Sequence, residues 1–354
     1  MKIHFTILLV FITSLLFSQK YSKYESIAYS CDWDKMILNK NYVPAKNDTC
    51  FFVVSVRNYD PNKTNFLDYD YDTTGTLKYF VVYFNQHKWV SVPYSSLEDM
   101  LNLKSNFENL VVFTEGLGKT YTKGVDRATS LIPEYKTDVI FFDWPTERPA
   151  MKQGKNMKLT NKISEQIAVP YSVFLEEFQT YKDKNPTKFK AVTILFHSMG
   201  NLILMHDLKH KLFKNIHPDL ANSVILNAAC VPQKKHAEWL SQLNISKYIF
   251  VTVNNSDRNL NGAKFVFMEN QLGHKPKGPY CKNVNYVDFS DVLQKEHNYF
   301  LIQPLLTEKP YLKNFYSTIF NGEMPQLKFS DPAISDEVKK YLPGKSEIGV
   351  SPGM

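Results

Sequence analysis

The sequence predicts an α/β fold: a mostly parallel sheet with helices on both faces and antiparallel strands toward its N-terminal end. Three observations predict it. From residue 109 onward, short β-rich runs alternate with helix-compatible stretches, the pattern of parallel strands joined by crossover helices. Those runs are almost continuously apolar, as strands covered on both faces should be. The part before them shows strand-like runs separated by turn clusters, the pattern of antiparallel hairpins.

In chain order, the early runs are 50–56, 77–84 and 88–92, broken by the clusters Asp60-Pro61-Asn62-Lys63 and Asp72-Thr73-Thr74-Gly75, whose Asx and Gly residues favour turns. The later strands are expected at 110–114, 139–143, 192–197, 224–229, 248–253 and 284–289. Between them, helices are expected at 124–132, 162–181, 202–212, 234–243 and 264–272, the last on the weakest pattern.

With 354 residues, 44% of them hydrophobic, and with 25 Phe and 21 Tyr, the chain has material for a large aromatic core and is not a disordered polypeptide. Its net charge of +7 comes from scattered lysines. The longest basic patches, Lys234-Lys235 and Lys339-Lys340, are too short for a nucleic-acid tract, so no nucleic-acid partner is expected. Residues 1–18 read as a secretory signal peptide, with Lys2 as the charged start, an apolar run over 7–17 and a cleavage region at Ser18-Gln19. That run is too short to span a bilayer, and no cysteine follows it to carry a lipid. The expected organisation is one domain over 19–343, with a β-rich part at 19–108, a core at 109–300 and a loose tail at 344–354. The expected location is secreted or periplasmic, without a transmembrane anchor. Export makes disulfides chemically available. Cys31 and Cys50 flank a polar loop, and a bridge there is expected to stabilise by roughly 3 kcal/mol, the alternative being two unpaired thiols. Cys230 and Cys281 lie beside different expected strands and leave their pairing open.

The stretch Leu195-Phe196-His197-Ser198-Met199-Gly200-Asn201 ends an apolar run and leads into Leu202, Ile203, Met205, Leu208 and Leu212, which share a helical face. A strand, a sharp turn centred on a serine and an amphipathic helix form a nucleophile elbow. That turn lifts the Ser198 hydroxyl above the sheet, and the Met199 amide points to where an oxyanion would form. In such a layout the acid and the histidine follow the serine, each on a loop after a later strand. The loop after 224–229 holds no carboxylate, whereas the loop after 248–253 holds Asp257. Only His274 and His297 lie beyond Asp257, and His297 follows the last expected strand. His297 is therefore the expected general base and His274 its rival, with Asp257 orienting the imidazole. The loop Glu115-Gly116-Leu117-Gly118 is expected to supply a second oxyanion donor through the Leu117 amide.

These residues together resemble the α/β-hydrolase superfamily, and within it a bacterial branch. Its members carry a strand ending in His-Gly-Tyr-Asn, a Trp-Pro after the next strand, an Ala-His-Ser-Met-Gly-Asn elbow and a late Gly-His-x-Tyr-Phe. Here the Trp-Pro is Trp144-Pro145, the elbow is 197–201, and the end is His297-Asn298-Tyr299-Phe300, so the likeness spans roughly 109–300. It implies an esterase-like or lipase-like serine hydrolase acting through an acyl-enzyme on a small-molecule or lipid-like acyl ester, which the signal peptide would send for export. An ester is favoured over an amide because alkoxides leave more readily, and a thioester stays open as the scissile bond. No metal or organic cofactor is expected: no Cys/His spacing reads as zinc and no glycine pattern reads as a nucleotide site. His206 and His210, four apart beside Asp207, read as a solvated helix surface. The segment 145–162 is a candidate lid.

Two positions depart from the branch. Phe196 stands where such elbows usually place a small residue. Glu115 stands where the branch has histidine, bringing a carboxylate toward a site for negative charge unless Arg127 or Lys119 neutralises it. Both favour the alternative reading, a hydrolase-like scaffold that binds a ligand or partner without turnover.

Overall fold

A computed structural model describes residues 31–45, 48–85, 88–326 and 338–340 of the chain. The expected signal peptide and the tail at 344–354 lie outside the described residues. The strands are β1 (Met36–Leu38), β2 (Thr49–Ser55), β3 (Arg57–Tyr59), β4 (Leu67–Tyr71), β5 (Lys78–Asn85), β6 (Lys88–Tyr94), β7 (Phe107–Thr114), β8 (Asp138–Asp143), β9 (Phe189–His197), β10 (Ala221–Asn227), β11 (Ser246–Val253), β12 (Asn285–Asp288) and β13 (Val338–Lys340). The α-helices are α1 (Leu97–Leu101), α2 (Tyr121–Tyr135), α3 (Gln153–Lys184), α4 (Asn201–Lys209), α5 (His236–Leu240), α6 (Arg258–Phe267), α7 (Ser290–Leu293), α8 (Gln303–Glu308) and α9 (Pro310–Phe320).

A sheet of 11 strands runs β1-β6-β5-β2-β8-β7-β9-β10-β11-β12-β13, with β3 and β4 paired apart from it. Its neighbours are parallel except β2–β5 and β5–β6, so the antiparallel pairs sit toward the N-terminal side as expected. The strand order reverses at β7. The chain leaves β7 for β8 on one side, then returns through α3 to β9 on the other. Thr114 pairs with Phe196, Asn227 with His197, and Val253 with Asp288, which brings the carboxyl ends of these strands to one edge. A ligand site is expected outside the carboxyl ends at such a reversal.

The central strands are buried on both faces, which is why they read as unbroken apolar runs. Val111, Val112 and Phe113 of β7 and Ile194, Leu195 and Phe196 of β9 have no exposure. Successive side chains on β8 point to opposite faces. Phe142 packs against Tyr171 and Phe174 of α3 (centroids 4.7 and 5.7 Å), while Phe141 faces Gly124 of α2. A Cβ at Gly124 would come within 2.4 Å of the Phe141 ring, so glycine is what lets α2 lie close to the sheet. Helix α9 closes the α2 face, where Tyr135 meets Phe320 at 4.9 Å. Among the described residues no helix is long and apolar enough to cross a membrane.

Three expectations are corrected here. Cys31 and Cys50 are free rather than bridged. The Cys31 thiol sits near Asp126, Asp32 and Lys35, and the Cys50 thiol near Lys104 and Asp138, so the two occupy different surroundings. Cys230 and Cys281 are free as well. The helix expected at 162–181 begins at Gln153 instead, so part of the expected lid is its first turns. The helix expected at 264–272 is α6, shifted toward the N-terminus by the Asp257 cap.

Candidate active site

Ser198 follows the last residue of β9 with φ +51°, a left-handed conformation that a serine keeps only when its surroundings hold it. The chain turns through a single 3-10 turn, Ser198–Gly200, into α4. Two close approaches require glycine there. A Cβ on Gly116 would lie 2.7 Å from both Met199 N and Ser198 Cβ, and one on Gly200 would lie 2.7 Å from the Thr114 carbonyl oxygen. The Ser198 carbonyl accepts from the Cys230 amide at 3.1 Å and from Asn201 Nδ2 at 2.9 Å.

The loop after β7 approaches the elbow from the other side. The Gly116 amide donates to Glu115 Oε1 at 2.8 Å, whereas Leu117 and Met199 both line the cavity beside Ser198. Met199 lies in the first turn of the 3-10 segment, where backbone amides have no intrahelical acceptor. The Trp144-Pro145-Thr146 segment anchors this loop. Trp144 Nε1 donates to the Glu115 carbonyl at 2.8 Å, and the Lys119 amide donates to Thr146 Oγ1 at 3.0 Å. Arg57, itself bound to Asp143 at 2.8 Å, donates to the carbonyls of Trp144 and Lys119 at 2.9 and 3.2 Å.

Asp257 caps α6: its Oδ1 accepts the amides of Asn259 and Leu260 at 2.8 and 3.0 Å. Its Oδ2 lies 2.6 Å from His297 Nδ1. The His297 loop is held by Asn254 Nδ2, which donates to the carbonyls of Gln294 and Glu296 at 3.0 and 2.8 Å. His274 lies close enough to Asp257 to feel its charge, but burial dominates and holds its imidazole below the ordinary value. Asp257 Oδ2 is directed to His297 instead.

Both departures are accommodated. Phe196 has no exposure and its ring turns toward Tyr171 of α3, centroids 5.4 Å apart, leaving the elbow's close approach to the glycines. Glu115 Oε2 lies 3.3 Å from Arg127 Nε. Burial would raise the Glu115 carboxyl, but His197, Arg127, Lys119 and the Gly116 amide together outweigh it and hold it at about 2. Burial drives the His197 imidazole down to about 3 against the pull of Glu115. His197 is thus neutral, with Nδ1 accepting from Asn227 Nδ2 and Nε2 donating to Asn298 Oδ1, each at 3.0 Å.

Ser198 and His297 open onto one cavity of about 780 Å3. Sequence reasoning missed several of its walls. Cys230 and Asn298 belong to it, and so do Arg258 and Gly262 of α6. The first turns of α3 contribute Gln153, Gly154, Asn156 and Met157, for which the candidate lid was the only signal. His206 and His210 lie elsewhere, on α4. Their donor atoms and those of Glu165 fall within 4.8 Å of one another, and Glu165 Oε1 lies 3.0 Å from His210 Nε2 on an exposed surface.

Residues 95–308 match the model of a family described as "Alpha/beta hydrolase of unknown function (DUF900)". No curated protein matches the chain. Among solved structures, the chain is similar to carboxyl esterase 2 from the mycorrhizal fungus Tuber melanosporum, with 11% identity, TM-score 0.39 and coverage of 81% of this chain and 89% of that one. It is also similar to a hyperthermophilic esterase from the archaeon Pyrobaculum calidifontis, with 11% identity, TM-score 0.35 and coverage of 70% and 82%.

Proposed function

This chain belongs to the DUF900 family of alpha/beta hydrolases, and from that premise we propose that it is a serine hydrolase cleaving carboxylic esters through an acyl-enzyme. The carrying observation is one arrangement: Ser198 on a left-handed turn, and the Asp257–His297 pair at 2.6 Å, with Ser198 and His297 on the same cavity.

The chemistry follows from the side chains. With Nδ1 engaged by Asp257, His297 Nε2 takes the proton as Ser198 Oγ bonds to the acyl carbon. The carbonyl oxygen becomes an oxyanion for the amides of Met199 and Leu117. Collapse breaks the bond to the alcohol, which leaves with the proton from His297. Water then repeats the sequence, releasing the acid and restoring Ser198. Neutral, doubly engaged His197 has no free nitrogen for that work. The lysine start and apolar run at 2–17 support an exported protein, for which N-terminal sequencing of exported material should begin near Gln19.

Labelling with a fluorophosphonate tests the reading without knowledge of the substrate. Wild-type protein should label at Ser198 and hydrolyse a chromogenic short-chain ester, and folded Ser198→Ala should do neither. Wild type that neither labels nor turns over esters would leave the non-catalytic scaffold in its place.

A further inference from the structure

Three side chains with no part in the acyl chemistry converge at the surface between α3 and α4. His206 lies in the last turn of α4 and His210 is its C-cap residue, with the His210 amide donating to the His206 carbonyl at 2.9 Å. Their rings are nearly parallel, 13° between planes and 6.1 Å between centroids. This is the i, i+4 spacing by which two imidazoles on a helix grip one ion. Glu165 reaches the pair from α3, which packs against α4. One donor atom from each of the three residues lies within 4.8 Å of the others.

The distances suit a metal ion. Donors bound to one zinc at about 2.0–2.2 Å stand about 3–3.5 Å apart. Glu165 Oε1 and His210 Nε2 lie 3.0 Å apart, and both side chains are about half exposed, free to rotate onto a common ion. That pair accounts for two of the three residues as an ordinary surface ion pair, but not for the third. His206 makes no hydrogen bond among the described residues, which leaves its ring nitrogens available.

The backbone beneath the cluster is fixed. Ile163, Ser164 and Ile167 bury α3 on either side of Glu165, and Leu204, Asp207 and Leu208 bury α4 around His206. Folding therefore meets much of the entropic cost of assembling the donors. Charge agrees with this. The carbonyl end of α4 favours a cation, and at His206 the influence of Glu165 exceeds that of Lys209 on the same turn.

We propose that His206, His210 and Glu165 form a binding site for a divalent transition-metal ion, zinc above all, that clamps α3 to α4. Two imidazoles and a carboxylate are a donor set that zinc accepts, with water completing its shell. The clamp ties the helix leaving the elbow to the helix whose first turns wall the cavity. It is independent of the serine-hydrolase reading.

The test uses untagged protein stripped with a chelator and titrated with zinc chloride by calorimetry. One equivalent should bind and raise the melting temperature, because an ion held only by the folded chain stabilises it. Cobalt(II) should compete with zinc and show the visible absorption of a nitrogen- and oxygen-ligated ion. His206→Gln and His210→Gln should each weaken zinc binding by more than about tenfold, beyond the loss of a residue that merely supports a ligand. Glu165→Gln should weaken it by about tenfold, whereas Glu165→His, which restores a donor, should keep it. Circular dichroism checks that each variant is folded. Wild type with neither binding heat nor thermal shift would overturn the site without recourse to any variant. Zinc binding undiminished in the His206→Gln, His210→Gln double variant would overturn it too, by placing the ion elsewhere.

Discussion

Asp257 divides its two carboxylate oxygens between two tasks: Oδ1 caps α6 through the amides of Asn259 and Leu260, and Oδ2 meets His297 Nδ1 at 2.6 Å. The helix therefore fixes the acid, and the acid fixes the imidazole. Asp257→Asn can retain an oxygen for the cap but presents an amide donor toward Nδ1, favouring the wrong tautomer. Ester turnover is expected to fall by about 10⁴, with a stability loss of about 1 kcal/mol or less. Asp257→Ala should lose the same activity and, in addition, about 0.5–2 kcal/mol of cap. Paired kinetics and urea unfolding of the two variants check this separation.

The two loop glycines should respond differently. Gly116 has no room for a Cβ, because Met199 N and Ser198 Cβ would each lie 2.7 Å from it. Gly116→Ala is expected to push the Leu117 amide away from the elbow and to lower kcat by about 10²–10³, the scale of one lost oxyanion donor. Gly118 has open space around it but a φ of +84°. Gly118→Ala should cost only about 1 kcal/mol of backbone strain and leave kcat within a few-fold. Equal kinetic losses in the two would refute the assignment of the donor.

Phe196 is a packing residue, not an obstruction. Its ring contacts Tyr171 at 5.4 Å and has no exposure, so Phe196→Ala should open a cavity and cost about 3–5 kcal/mol. Turnover per folded molecule should not rise. A more active variant would show that the ring strains the elbow.

The sequence made the parallel core legible because strands buried on both faces must be apolar throughout. The candidate acid and base stood out in the sequence because the loop after 248–253 holds one carboxylate, Asp257, and only two histidines lie beyond it. Phe196 and Glu115 looked like defects because their compensations are distant in the chain. Tyr171 lies on another helix, and Arg127 reaches Glu115 from α2. The cavity wall from α3 was hidden for the same reason, as polar Gln153 and Asn156 carry no periodic signal. The disulfide expectation failed because proximity in sequence does not fix which way two thiols face. β1, the β3–β4 hairpin and β13 are too short to stand out as strands.

The buried Glu115 carboxylate gives stability a pH dependence whose sign can be checked. Its folded value of about 2 lies below the ordinary 4.5. Between those values the unfolded chain binds a proton that the folded chain does not, so stability falls as pH falls through that window. The contribution is complete above about 4.5 and is lost progressively as the pH falls below it. His197 adds a slope of the same sign from 6.5 down to about 3, because its folded imidazole resists protonation. The wild-type curve alone therefore cannot isolate Glu115, but a difference can. Glu115→Gln leaves the Arg127 guanidinium, 10% exposed, without its partner at 3.3 Å. The variant should be less stable than wild type at pH 7 by about 3 kcal/mol or more. That gap should narrow as the pH is lowered from 5 toward 3, since the unfolded wild-type chain takes up a proton at Glu115 there while the folded one does not, and the variant has no carboxylate to titrate. Urea midpoints at pH 7, 5 and 3 for both proteins measure it. A gap that stays constant or widens in acid would show that Glu115 is not held ionised beside the elbow.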